Sequence, residues 1–174
     1  MEPVWFSHHV RYDPELGYVM LQLPHLELPA TFQFDNTAYE AKAELHCSLL
    51  CTKNLAEKFQ DSTAANDKLV AFVKSYVQDH KITFEGFTSR SYVCQDGEVK
   101  SIVVGAKVTG VSGLFDSLRQ QFKELKDLPQ PVLHVTLYKY NHRYGIGIQN
   151  EAQLHELCRP IPFAILPKVI KEQV

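Results

Sequence analysis

An α+β domain is the fold class this sequence predicts, on three observations. Two β-rich runs, residues 81–94 and 99–108, flank Gln95-Asp96-Gly97-Glu98, and Asp-Gly supplies the positive φ angles of a tight hairpin. Two amphipathic stripes follow a helical period: Leu69, Phe72, Val73, Tyr76 and Val77, then Leu114, Phe115, Leu118, Phe122 and Leu125. Two further strands carry nearly the same phrase, Leu45-His46-Cys47-Ser48-Leu49 and Leu133-His134-Val135-Thr136-Leu137.

The elements follow in order. Residues 18–23 read as a strand, Pro24 and Pro29 punctuate, and Thr31-Phe32-Gln33-Phe34 alternates again, so the first 42 residues form an added β element or flap of unassigned role. Residues 43–51 form a strand with Leu45, Cys47 and Leu49 on one face and His46 and Ser48 on the other. Thr52 is placed to cap a short helix from Asn54, and the first long helix spans about 66–80. Ser112 is placed to cap the second, which Pro129 and Pro131 forbid from continuing. The chain returns to a strand over 132–140, with Leu133, Val135 and Leu137 on one face and His134, Thr136, Tyr138 and Tyr140 on the other. A loop with Gly145 and Gly147, a helix over 150–158 and an apolar run over 163–166 complete the chain.

With 174 residues, 45% hydrophobic and 22% charged, the chain is expected to be one domain, 1–174, with an apolar core. Eighteen Lys and Arg against 20 Asp and Glu leave a net charge of −2, which speaks for a short substrate rather than a long grip on phosphates. No apolar stretch reaches the roughly 18 to 20 residues a membrane helix needs, and the first ten residues do not read as a signal segment. No membrane partner and a cytoplasmic location are expected. Cys47, Cys51, Cys94 and Cys158 include no Cys-x-x-Cys pair, so reduced thiols are expected, with neither a disulfide scaffold nor a zinc ribbon.

The chemistry is carried by the repeated phrase. Each copy puts an imidazole and a hydroxyl on one face of a strand, about 7 Å apart along the backbone. Two similar lobes facing each other would set two histidines and two hydroxyls around one small anion. A neutral imidazole can take a proton from water while the opposite imidazolium protonates a departing ribose oxygen. Ser48 and Thr136 would donate to the non-bridging phosphate oxygens as charge develops there. This mechanism requires no metal or other cofactor.

Paired His-x-Ser/Thr phrases, one on a strand in each half of a chain of this size, resemble the two-histidine phosphoesterase superfamily, the LigT-like group that includes RNA 2′,3′-cyclic phosphodiesterases. The resemblance covers roughly residues 43–166 and implies a bilobal α+β fold. In it, two pseudo-twofold-related antiparallel sheets with outer helices enclose a catalytic cleft. It implies hydrolysis of 2′,3′-cyclic or 2′-5′ phosphodiesters in nucleotides or short RNA; separately, a monomer is expected. It also implies His46 as the acid and His134 as the base, an order that a transesterification could reverse. Ser48 stands where threonine is common in the family, and the hydroxyl is kept.

Other readings stand beside this one. Tyr138 could stack on a base or simply close the sheet rim, and Arg90, Arg143 and Tyr144 could approach a phosphate or lie on solvated surface. A metal read from His46, Cys47 and Cys51, or from His155 and Cys158, lacks four ligands at a familiar spacing. The rival functions are RNA end processing or ligation by the same four residues, a catalytically silent nucleotide-binding or RNA-binding module, and an interaction protein using the aromatic N-terminal segment. The last of these predicts that His46 and His134 lie far apart.

Overall fold

Asp61 accepts a hydrogen bond from the Ala64 amide at 3.1 Å, which caps the longest helix among the described residues eight residues before Leu69 opens its apolar stripe. The computed structural model describes residues 2–141 and 146–174 and is α+β, with a large antiparallel sheet and several helices. It divides into two compact units. The first holds the segment ending at Gln22 together with Ser48–Phe84 and Val108–Pro131. The second holds Leu23–Cys47, Glu85–Lys107 and Val132–Val174.

In the first unit, β1 (Val4–Trp5), β2 (Val10–Tyr12) and β3 (Tyr18–Gln22) form an antiparallel run. Helices α1 (Thr52–Ala56), α2 (Ser62–Asp79) and α3 (Val111–Gln121) accompany it. The buried residues of α2 are Ala65, Leu69, Val73 and Val77, and those of α3 are Val111, Leu114, Phe115 and Leu118. Both sets keep the spacing of one helical face, and each large aliphatic side chain withdrawn from water contributes roughly 1.5–3 kcal/mol. Phe122 lies just beyond α3, edge-on to Phe59 at 5.8 Å and to Phe72 at 5.4 Å.

Two capping expectations are corrected. Thr52 is the first residue of α1 rather than its cap, because its hydroxyl donates to Gly17 O at 3.2 Å and lies 3.2 Å from the Tyr12 phenol. At α3 the cap is Gly110, not Ser112: its φ is 93°, and a Cβ there would sit 2.5 Å from Lys81 O.

In the second unit the central strand is β9 (His134–Tyr140). On one side come β8 (Val99–Thr109), β7 (Thr83–Asp96) and β10 (Cys158–Pro160); β6 (His46–Cys51) pairs with β9 at Val135, and β5 (Thr37–Ala41) pairs with β9 further along, at Tyr138 and Lys139. The unit boundary falls within β6, between Cys47 and Ser48, and the ends of β7 and β8 likewise extend past it. The predicted β7–β8 hairpin turns at Gly97, φ 65°. The N-terminal β expectation resolves further into a hairpin of β4 (Thr31–Phe34) and β5. Asp35 and Asn36 turn it, at φ 51° and 61°, the left-handed pair of a two-residue hairpin loop.

Asn150 caps α4 (Glu151–Leu157) by accepting from the Gln153 amide at 2.9 Å. Leu154 of that helix packs with Ile146, Ile148, Cys94 and Val103 in a buried cluster. The apolar run after β10 forms a single 3-10 turn, Phe163–Ile165, and a short α5 (Lys168–Lys171) follows.

Reduced thiols are also corrected. Cys94 and Cys158 form a disulfide between directly paired residues of β7 and β10, while Cys47 and Cys51 are free and buried. No spacing rule brings two cysteines 64 residues apart together; the β7–β10 register does. Disulfides are uncommon in reducing compartments, so the cysteines no longer support the cytoplasmic expectation. Among the described residues no helix is long and apolar enough to cross a membrane.

Candidate functional site

Strand alternation places the four predicted residues. Cys47, Leu49, Val135 and Leu137 are buried on one face, and His46, Ser48, His134 and Thr136 are half-buried on the other. Cys47 is directly across from Val135 in the antiparallel β6–β9 pair. That register sets His46 opposite Thr136 on the other face, with His134 as the diagonal neighbour of His46, about 7–8 Å away. His46, His134 and Thr136 therefore gather on one face within the second unit. Ser48 follows His46 by two residues along β6 and alternates to the same face of that strand, but belongs to the first unit.

His134 is prepared for one protonation state. Burial lowers its pKa below the usual 6.5, partly offset by the main-chain hydrogen bond with Val132. Because a carbonyl can only accept, Nδ1–H is the donor to Val132 O, at 3.2 Å, and the lone pair is left on Nε2. A neutral imidazole with a free Nε2 lone pair is a proton acceptor. Burial pushes the Cys47 thiol up to about 12, against a smaller lowering by the His134 main chain, so the thiol stays protonated on the opposite face.

β8 completes the floor. Gly105 lies across from His134 and Val103 across from Thr136. A Cβ at Gly105 would collide with Thr88 Oγ1, so the missing side chain is what admits Thr88 over Gly105, the residue paired with His134. Thr88 was not expected at the site. The signal for it in the sequence is a glycine in the middle of a β-rich strand, which marks a close approach.

Tyr138 is placed differently from the other four. The β8–β9 register shifts between Ile102 and Val103, so that Val103 faces Thr136 while Ile102 faces Tyr138, and Leu137 becomes the extra residue of a bulge. Counting by two from His134 therefore stops working at Leu137. Tyr138 is fully buried, its ring stacks on Phe32 at 5.1 Å and its hydroxyl donates to Pro29 O at 2.9 Å. Among the described residues no cluster of three or more His, Cys, Asp or Glu could hold a metal ion. Arg143, Tyr144 and Gly145 lie outside the described residues.

No family model, no curated protein and no solved structure matches this chain.

Proposed function

We propose that this chain is a two-histidine phosphodiesterase of the LigT-like kind, bilobal, hydrolysing 2′,3′-cyclic or 2′-5′ phosphodiesters of nucleotides or short RNA. One observation carries the reading: the β6–β9 register gathers His46, His134 and Thr136 on a single half-open face. A histidine pair assembled from distant segments, one member held neutral, supports acid–base work more than a structural role.

In the proposed reaction, His134 Nε2 takes a proton from water as the water oxygen bonds to phosphorus. The bond from phosphorus to one ribose oxygen breaks, and the His46 imidazolium gives that oxygen its proton. One water is consumed, and proton exchange with solvent restores both rings. Thr136 and Ser48 hydroxyls donate to the non-bridging oxygens, where negative charge grows.

Product release from a panel of 2′,3′-cyclic nucleotides, 2′-5′ and 3′-5′ oligoadenylates, assayed in EDTA, tests this. Cleavage by the wild type that disappears in His134→Ala is the expected result. Absence of cleavage across the panel, or cleavage indifferent to the substitution, overturns the reading.

A further inference from the structure

Arg90 of β7 belongs to the same face as the candidate site, and three independent contacts put it there. Thr88 Oγ1 lies where the Cβ of Gly105 would be, and Gly105 is paired with His134. Tyr92 packs on the cluster containing Val103, and Val103 is paired with Thr136. Arg90, between Thr88 and Tyr92 in alternation, reaches Tyr92 directly: Nε donates to the Tyr92 hydroxyl at 2.8 Å, and the guanidinium carbon lies 5.7 Å from the Tyr92 ring centre. Arg90 therefore flanks the Gly105–Val103 stretch that floors His134 and Thr136. It stands two strand spacings from β9, about 10 Å.

The guanidinium is oriented but not committed. The Arg90 amide donates to Thr88 Oγ1 at 3.1 Å, so the backbone beside Gly105 is held as well as the side chain. Among the described residues its ion pair is with Glu151, Nη1 to Oε1 at 3.7 Å, with both side chains more than half exposed, at 56% and 57%. Such a pair contributes little and yields readily to a better anion. With Nε engaged by a neutral phenol, the terminal nitrogens remain as a planar fork suited to phosphate oxygens. The β7 backbone runs about 10 Å from β9, and Tyr92 and Glu151 hold the fork on the β7 side, beside rather than at the phosphate between His46 and His134. The fork is placed for the next one.

On the phosphodiesterase reading above, we propose that Arg90, oriented by Tyr92 and Thr88, binds a second, uncleaved phosphate. The substrate class is then a short oligonucleotide ending in a 2′,3′-cyclic phosphate, in preference to a cyclic mononucleotide. Gly105 is part of this device, because a side chain there would displace Thr88 and with it the anchor of the Arg90 backbone.

The test is steady-state hydrolysis of a diadenosine dinucleotide ending in a 2′,3′-cyclic phosphate against adenosine 2′,3′-cyclic phosphate, with wild type, Arg90→Ala and Arg90→Lys. The wild type is expected to favour the dinucleotide by about tenfold in kcat/KM, the scale of one charge-assisted contact. Arg90→Ala should abolish that preference through KM, with kcat nearly constant and the mononucleotide affected no more than about twofold. Arg90→Lys should restore part of it. A loss of equal size on both substrates, or on neither, overturns the proposal. Should the wild type hydrolyse neither, the phosphodiesterase reading fails separately. Titration with a diadenosine dinucleotide phosphorylated at both ends then decides the role of Arg90: about tenfold weaker binding by Arg90→Ala supports it, and equal binding overturns it.

Discussion

Cys47 faces Val135 across the β6–β9 pair, and this one contact between distant segments places His46 beside Thr136 and diagonal to His134. Both residues of the pair are fully buried, so a slip by one residue would bury the histidines and expose two apolar side chains. The core thus enforces the geometry of the candidate site. Catalytic substitutions and core substitutions should accordingly separate cleanly.

His46→Ala and His134→Ala should each lower kcat/KM by about 10²-fold or more, the scale of a lost general acid or base. Both residues are half-buried, so the melting temperature should move by only a few degrees. A variant with wild-type turnover would remove that histidine from the mechanism.

The depressed His134 pKa makes stability depend on pH with a definite sign. Above the ordinary value of 6.5 the ring is neutral folded and unfolded, so there is no penalty. As pH falls below 6.5 the unfolded chain binds the proton first, and stability declines until the folded-state value is reached. Chemical denaturation at a series of pH values should show this fall, and His134→Gln should flatten that part of it. The base limb of the kcat/KM profile should likewise lie below 6.5.

The Cys94–Cys158 disulfide closes a loop over a sequence separation of 64 residues. Cross-linking a loop of this length is worth roughly 2–4 kcal/mol. Cys158→Ser, or reduction by a thiol, should lower the unfolding free energy by about that amount in a urea titration. A change below about 1 kcal/mol would show that the pairing contributes little beyond the strand contacts.

Tyr138→Phe removes a phenol whose hydrogen bond to Pro29 O is partly buried within the second unit. Stability should drop by about 0.5–1.5 kcal/mol, the net worth of one such hydrogen bond. A substrate contact would reveal itself differently, as a raised KM at unchanged stability, so the two measurements together assign the residue.

Several elements could be read from local patterns alone. The stripe at Leu69, Val73 and Val77 marks α2, and Asp96-Gly97 marks the β7–β8 turn, because both depend on neighbours a few residues away. The errors are equally physical. Thr52 and Ser112 have the chemistry of caps, but tertiary hydrogen bonds claim the Thr52 hydroxyl and a left-handed Gly110 starts α3. Alternation by two puts Tyr138 on the face of His134, and the bulge at Leu137 breaks that alternation. Arg90 is open in sequence between a phosphate contact and solvated surface, and Tyr92 carries no signal; Gly105 and the packing of Tyr92 on the Val103 cluster connect them to the histidines.

By itself the sequence determined the secondary-structure periods, the hairpin and the two His-x-Ser/Thr phrases, since alternation and helical spacing are properties of a short stretch of backbone. Only the tertiary structure decided which strands pair and in what register, and so which residues share a face with His46 and His134. It also decided that Cys94 meets Cys158. Pairing between segments half a chain apart is selected by what the whole core can bury at once, and no short window of residues contains that quantity.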